Sequence, residues 1–163
     1  MVEITIRAVR SDDLDAVAAV EAACFPPAEA ADREAFGRRI EAFPECFFVA
    51  ICEGRVIGLI NGCATDEKTI RDEMFADANL HKKGGCYQSI FGLAVLPDYQ
   101  RQEVAARLMR HLIADAERQG RRGLILTCKE RLIPYYEKFG YRNLGVSASV
   151  HGGAVWYDML LEF

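Results

Sequence analysis

The chain has 163 residues, 51% of them hydrophobic, which is one domain's length with ample side chains for a core and excludes a disordered segment. A net charge of −4 and a pI near 5.4 leave no basic stripe for a phosphate backbone. No apolar run is long enough to cross a bilayer, so neither nucleic acid nor membrane is expected as a partner.

In chain order, residues 3–9 alternate Ile4, Ile6 and Ala8 with charged or hydroxyl neighbours, the pattern of a strand with one buried face. The same stretch lacks the apolar centre of a secretion signal, and a cytoplasmic protein is expected. Ser11 offers an N-cap to a helix whose apolar face is Leu14, Val17, Ala18 and Ala22, ending near Cys24 to Pro27. Phe36, Ile40 and Phe43 then recur at helical spacing until Pro44. Two β-rich segments, 46–52 and 55–62, flank Glu53-Gly54 and predict an antiparallel hairpin. Thr65 and Asp66 are read as caps of a short helix carrying Ile70 and Met74, followed by a polar segment ending at Gly84-Gly85.

The stretch from Ile90 to Gly120 organises the rest. Ile90 to Leu96 reads as one buried strand, with a start as early as Cys86, and Pro97 stops it. A helix is predicted from about Gln100, with Val104, Leu108, Leu112 and Ala116 on its buried stripe and Gly120 at its end. A strand, a short turn and a helix N-terminus aim free backbone N–H groups at one point, which suits a phosphate or pyrophosphate. Downstream, 124–128 is a short strand, Leu132, Tyr136 and Phe139 mark a small helix, and 141–150 with 155–161 form a final hairpin around Gly152-Gly153 with room for a bulge. The six cysteines form no C-x-x-C pair and read as small buried hydrophobes, and the three histidines are dispersed, so no metal is expected.

Gln100-Arg101-Gln102-Glu103-Val104-Ala105 resembles the Q/R-x-x-G-x-G/A signature of the GNAT superfamily of N-acetyltransferases, with Glu103 where that family has its first glycine. The element order is similar to that family's α/β fold, the GNAT acyl-CoA acyltransferase fold, a mixed and mostly antiparallel sheet flanked by helices that splays open at its central strand. Further blocks resemble the arylalkylamine N-acetyltransferases over nearly the whole chain. They are Glu21 to Phe25, Phe43-Pro44-Glu45, Leu80 to Gly85, Leu93-Ala94-Val95, Leu126 to Glu130, Leu132 to Phe139 and Trp156 to Met159.

The resemblance implies a single domain that transfers an acetyl group from acetyl-CoA directly to a primary amine, an arylalkylamine-like or polyamine acceptor, without metal. It implies that Leu93, Ala94 and Val95 contact the thioester and pantetheine through their backbone. Arg101, Gln102, Glu103, Val104, Ala105 and Ala106 would cradle the pyrophosphate. Tyr136 matches the family's general acid, and Phe25, Thr127, His151 and Trp156 match positions facing the amine pocket, where His151 would assist removal of the amine's proton. The family's pair of relay histidines is replaced by Ser89 and Phe91. The departures keep two alternatives open, a non-catalytic acyl-CoA sensor and an acetyltransferase acting on peptides or proteins. Nothing in the sequence excludes a homodimer.

Overall fold

The computed structural model describes residues 3–163. Helices α1 (Leu14–Cys24) and α2 (Arg33–Ala42) follow strand β1 (Ile4–Ala8), and the hairpin β2 (Phe47–Cys52) and β3 (Arg55–Asn61) comes next. Glu53 (φ 51°) and Gly54 (φ 76°) both have positive φ, as the tight two-residue hairpin turn requires. Then come β4 (Ala64–Thr65), α3 (Asp72–Ala76), β5 (Tyr87–Ile90), β6 (Gly92–Val95), α4 (Val104–Arg118), β7 (Gly123–Cys128), α5 (Ile133–Glu137), β8 (Arg142–Val146) and β9 (Tyr157–Glu162).

The strand expected over 90–96 is two strands. Phe91 separates β5 from β6, and the pieces join different sheets, of order β1-β2-β3-β6 and β4-β5-β7-β9-β8. Among the described residues every pairing is antiparallel except that of β5 with β7. At the fork, Ser89 N–H donates to Cys63 C=O at 2.8 Å and Phe91 N–H to Asn61 C=O at 2.7 Å. The crossing is so close that a Cβ on Gly62 would lie 1.9 Å from the Ser89 carbonyl oxygen, so only glycine fits. Between β6 and β7 the sheets part, and that wedge is the opening into the molecule.

Helix α4 packs the predicted stripe, Val104, Leu108, Leu112 and Ala116, together with Met109, against residues of both sheets. Each such leucine contributes about 1.5–3 kcal/mol relative to an exposed one. A second core under α1 and α2 joins Val17, Val20 and Phe36 to Phe47 and Leu59.

Five local expectations are corrected. Ser11 opens a 3₁₀ turn, and the carboxylate that ties down this end of α1 is Asp13, which accepts two bonds from Arg7 and the Arg10 N–H. On α1 the buried face is Val17, Val20 and Glu21, and Ala22 is exposed. Thr65 belongs to β4 and Asp66 bonds Lys82 and Cys86 N–H, so neither caps α3, which starts at Asp72. Helix α4 starts at Val104, after turns that occupy the four residues before it. The final hairpin is shorter than expected, with a bulge between Asn143 and Gly145 and an irregular loop over 147–156.

Candidate active site

Two features converge on the wedge between β6 and β7. The first is the ladder phase of β6. Leu96 N–H donates to Ile57 C=O, so the alternation of an antiparallel pair turns the backbone groups of Leu93 and Val95 away from β3 and toward the opening. Val95 C=O is already held by Cys24 Sγ at 3.2 Å and Gln100 Nε2 at 3.0 Å, which leaves its N–H and both Leu93 groups for a ligand. Ala94 has the opposite phase, and its buried side chain packs with the α1 core, so of the three residues expected here Leu93 and Val95 are the ones whose backbone is turned toward the opening.

The second feature is the start of α4. Glu103 precedes it at φ 59°, ψ 22°, in the left-handed region, and makes no side-chain cap. Arg107 N–H is the first of this helix to bond back, to Glu103 C=O at 3.0 Å. The Val104, Ala105 and Ala106 N–H groups therefore have no partner among the described residues and are open to an anion at the positive end of a 15-residue helix. Arg101, Gln102 and Glu103 are exposed on the preceding turn, while the Val104 side chain points into the core.

Deeper in the wedge lies a mainly apolar cavity of about 120 Å³. Tyr136, Phe25, Thr127, His151 and Trp156 all line it, as do Leu93, Cys128 and Glu21. A second, more polar cavity of about 290 Å³ shares Glu21, Glu29, Phe75, Phe91 and His151 with the first and opens past α2 and α3.

Glu21 is the group that sequence reasoning missed. It lies four residues after Val17, on the apolar face of α1, and is only 4% exposed. Its Oε2 accepts the Ala31 N–H at 3.0 Å, while Oε1 has no partner among the described residues. A Cβ on Gly92, at the fork of the sheets, would lie 3.3 Å from Oε1, so the absence of a side chain there makes the room around this oxygen. Burial raises the Glu21 pKa, and the Ala31 N–H, Arg39 and His151 offset part of the rise. A carboxylate in an apolar stripe was the available signal, since such a group is rarely buried without a task.

His151 Nε2 lies 2.9 Å from the Glu29 carbonyl, which only accepts, so Nε2 carries the proton and Nδ1 keeps the lone pair of the neutral ring. The ring stacks on Phe75 at 4.8 Å and 13°. Trp156 donates Nε1–H to the His151 carbonyl at 2.8 Å, and Lys129 Nζ lies 5.7 Å from the centre of its ring. Lys129 thus competes with any substrate for that indole, and Lys129 is itself paired with Glu29 at 2.9 Å. Tyr136 is half-buried, and burial, with Cys128 and Tyr135 beside it, pushes its pKa well above the ordinary phenol value. It therefore stays protonated at neutral pH. Burial also lifts the Cys128 thiol to about 11, which disfavours a thiolate and with it an acyl-cysteine route. Ser89 is buried with Oγ–H donated to Cys63 C=O, and Phe91 forms a wall common to both cavities.

Among the described residues, Glu45, Cys46 and His81 lie close enough together to suggest a metal site. His81 Nδ1 accepts the Ala64 N–H at 3.0 Å, so the neutral ring is protonated on Nε2, which faces Glu45 Oε1 at 3.1 Å. The ring has no lone pair left for an ion, and burial lifts the Cys46 thiol to about 12. All six cysteines are free. No helix among the described residues is long and apolar enough to cross a membrane.

The profile of the acetyltransferase (GNAT) family matches residues 14–141. Serotonin N-acetyltransferase of Mesocricetus auratus is 29% identical over 108 residues, 66% of this chain, and the match spans 51% of that relative's length. Among solved structures, the GphF GNAT-like decarboxylase in complex with isobutyryl-CoA superposes with a TM-score of 0.85 at 21% identity, over 97% of this chain and 98% of its own. Arabidopsis thaliana Naa50, in complex with the bisubstrate analogue CoA-Ac-MVNAL, gives 0.76 at 17% identity over 98% and 99%. These structural likenesses establish the fold, and the family profile, which spans the α1 core, the fork and the α4 turn, establishes that the chain belongs to the acetyltransferase (GNAT) family.

Proposed function

We propose that the protein transfers the acetyl group of acetyl-CoA to a primary amine by direct attack. The observation that carries the reading is one cavity at the fork of the sheets. It holds a protonated Tyr136, the outward-facing backbone of Leu93 and an unpartnered buried carboxylate oxygen, and the free N–H groups of α4 begin just after the same strand.

The chemistry follows from those groups. An alkylammonium, with a reference pKa of about 10.4 for lysine, must lose a proton before its nitrogen can attack. Glu21 Oε1 and His151 Nδ1 are the acceptor atoms available, and the raised pKa of Glu21 brings that carboxylate nearer to its task. The new C–N bond forms as the thioester carbonyl oxygen gathers charge, for which the Leu93 N–H is the preorganised donor. On collapse the C–S bond breaks, its electron pair leaves on sulfur, and Tyr136 donates the proton that makes the free thiol. The phenolate then recovers a proton released by the amine through solvent.

The aromatic lining by Phe25, Phe75, Phe91 and Trp156 favours an arylalkylamine-like acceptor. A second reading, transfer to a peptide N-terminus, is favoured by the second cavity, whose polar wall of Asp32, Arg38 and Asp72 continues outward from Glu21.

The test is a thiol-release screen with acetyl-CoA against arylalkylamines, polyamines, amino acids and short peptides, followed by Tyr136→Phe on the best acceptor. The variant keeps the ring and the packing, so acetyl-CoA affinity should hold while kcat falls by roughly 10²- to 10⁴-fold. A kcat within a factor of about two of wild type, with chemistry limiting, removes Tyr136 as the acid. No release with any acceptor would instead favour an acyl-CoA sensor.

A further inference from the structure

Helix α3 has five residues, too few to be stable on its own, yet it touches the acceptor cavities at two points one turn apart. Asp72 accepts the Ser149 hydroxyl on Oδ1 and the Val150 N–H, at 3.0 Å, on Oδ2, so both its oxygens hold the chain just before His151. Ser149 Oγ in turn accepts the His151 N–H at 3.3 Å. Phe75, three residues after Asp72, carries the stacked His151 ring. The Phe75 carbonyl accepts from Arg39 Nη2 at 3.1 Å, and buried Arg39 also donates to Asn61 Oδ1 at 3.1 Å and lies over Phe91. That ties α3 to α2, β3 and the fork.

The loop it holds has little else to fix its outer side. Strand β8 ends at Val146 and β9 begins at Tyr157, and beyond the closing bond from Ser147 N–H to Trp156 C=O at 2.8 Å residues 148–155 lie outside the regular ladder. Val150 and Val155 are 71% and 63% exposed. On its inner side, His151 Nε2–H reaches Glu29 C=O.

We infer that Asp72 and Phe75 are specificity-determining positioning residues, which hold Ser149 and Val150 so that the His151 ring stays in place as a wall of the acceptor cavities, and so set amine affinity rather than acetyl-CoA affinity. A wall anchored by a carboxylate and one stacked ring keeps His151 and Trp156 at fixed spacing from Phe25 and Phe91. Releasing it widens the cavity and lets water reach the amine's site, while the free N–H groups of α4 and the backbone of β6 are unaffected.

The kinetic arm of the test rests on the acetyltransferase reading, whereas the optical arm does not. Trp156 is the single tryptophan of the chain, so its fluorescence reports on this loop alone. In Asp72→Ala, acrylamide quenching of Trp156 should rise in the absence of substrates. The KM for the best amine should rise about tenfold, with kcat within about threefold and the acetyl-CoA Kd unchanged. Ser149→Ala should shift both readouts in the same direction, and the double variant should lose less than the sum of the two, because the Ser149–Asp72 bond is common to both while the Val150 and His151 N–H bonds are not. Asp72→Asn keeps an oxygen for the Val150 N–H and should recover most of the loss. Unchanged quenching and amine KM in Asp72→Ala would overturn the inference. So would additive losses in the double variant, or equal weakening of amine and acetyl-CoA with a lowered melting temperature, which marks general loosening. Wild-type protein that acetylates nothing defeats the acetyltransferase reading, and the quenching comparison still decides the role of α3.

Discussion

Glu103 is the sharpest departure of this chain from its family's signature, and its geometry lets the effect of Glu103→Gly be worked out. The residue sits at φ 59°, ψ 22°, where a side chain costs roughly 1–2 kcal/mol and glycine nothing. Glycine's greater freedom in the unfolded chain takes back about 0.5–1 kcal/mol, so the net gain in stability should stay near 1 kcal/mol or below. For a protein of this length that is a rise of about 2–4 °C at most. Binding gains separately. The exposed carboxylate borders the three free N–H groups of α4, and a like charge about 4 Å from a bound pyrophosphate costs about 1 kcal/mol even in water. Removing it should tighten acetyl-CoA severalfold, more at low salt than at high, with little change in amine preference. Calorimetric titration of wild type, Glu103→Gly and Glu103→Gln separates the two effects. The glutamine keeps the left-handed strain and loses only the charge, so it should match glycine in affinity and wild type in melting temperature. Unchanged or weaker acetyl-CoA binding in both variants would refute the electrostatic argument and show that the carboxylate organises the turn instead.

Two further outcomes are expected at the acceptor side. Because burial raises the Glu21 pKa, the folded state holds that proton more tightly than the unfolded chain. The stability this contributes is complete below the unfolded value near 4.5 and is lost as pH rises through the folded one. Glu21→Gln keeps an oxygen for Ala31 N–H and cannot ionise, so its melting temperature should match wild type at acid pH and exceed it increasingly as pH rises. A constant offset at every pH would contradict the buried-carboxyl argument. His151→Ala should depress the rate most near neutral pH and less in alkali, where free amine is plentiful, in a kcat/KM profile. An equal loss at all pH values would mean that the ring only shapes the cavity.

Much of this molecule was legible one element at a time. The α4 stripe was readable because a four-residue recurrence of Val104, Leu108, Leu112 and Ala116 admits only one buried face, and the β2–β3 turn because Glu53-Gly54 suits paired positive φ. Tyr136, His151, Phe25, Thr127 and Trp156 were singled out through resemblance alone, and they line one cavity although 131 positions separate Phe25 from Trp156. Local pattern could not reveal the break at Phe91. An apolar run from Ile90 to Leu96 looks the same whether it serves one sheet or two, and the change of partner depends on the backbone crossing at Gly62, far away in sequence. The same limit hid Glu21, whose meaning comes from facing Gly92 across that fork, and α3, whose Asp72 and Phe75 have no periodic signal and matter only through Ser149, Val150 and His151. Sequence determined which faces are apolar, where chains turn and which residue types are present for acyl transfer. Tertiary structure alone decided where two sheets part, which backbone groups that parting frees, and which buried carboxylate is left without a partner beside them, because each depends on contacts between segments that no local spacing encodes.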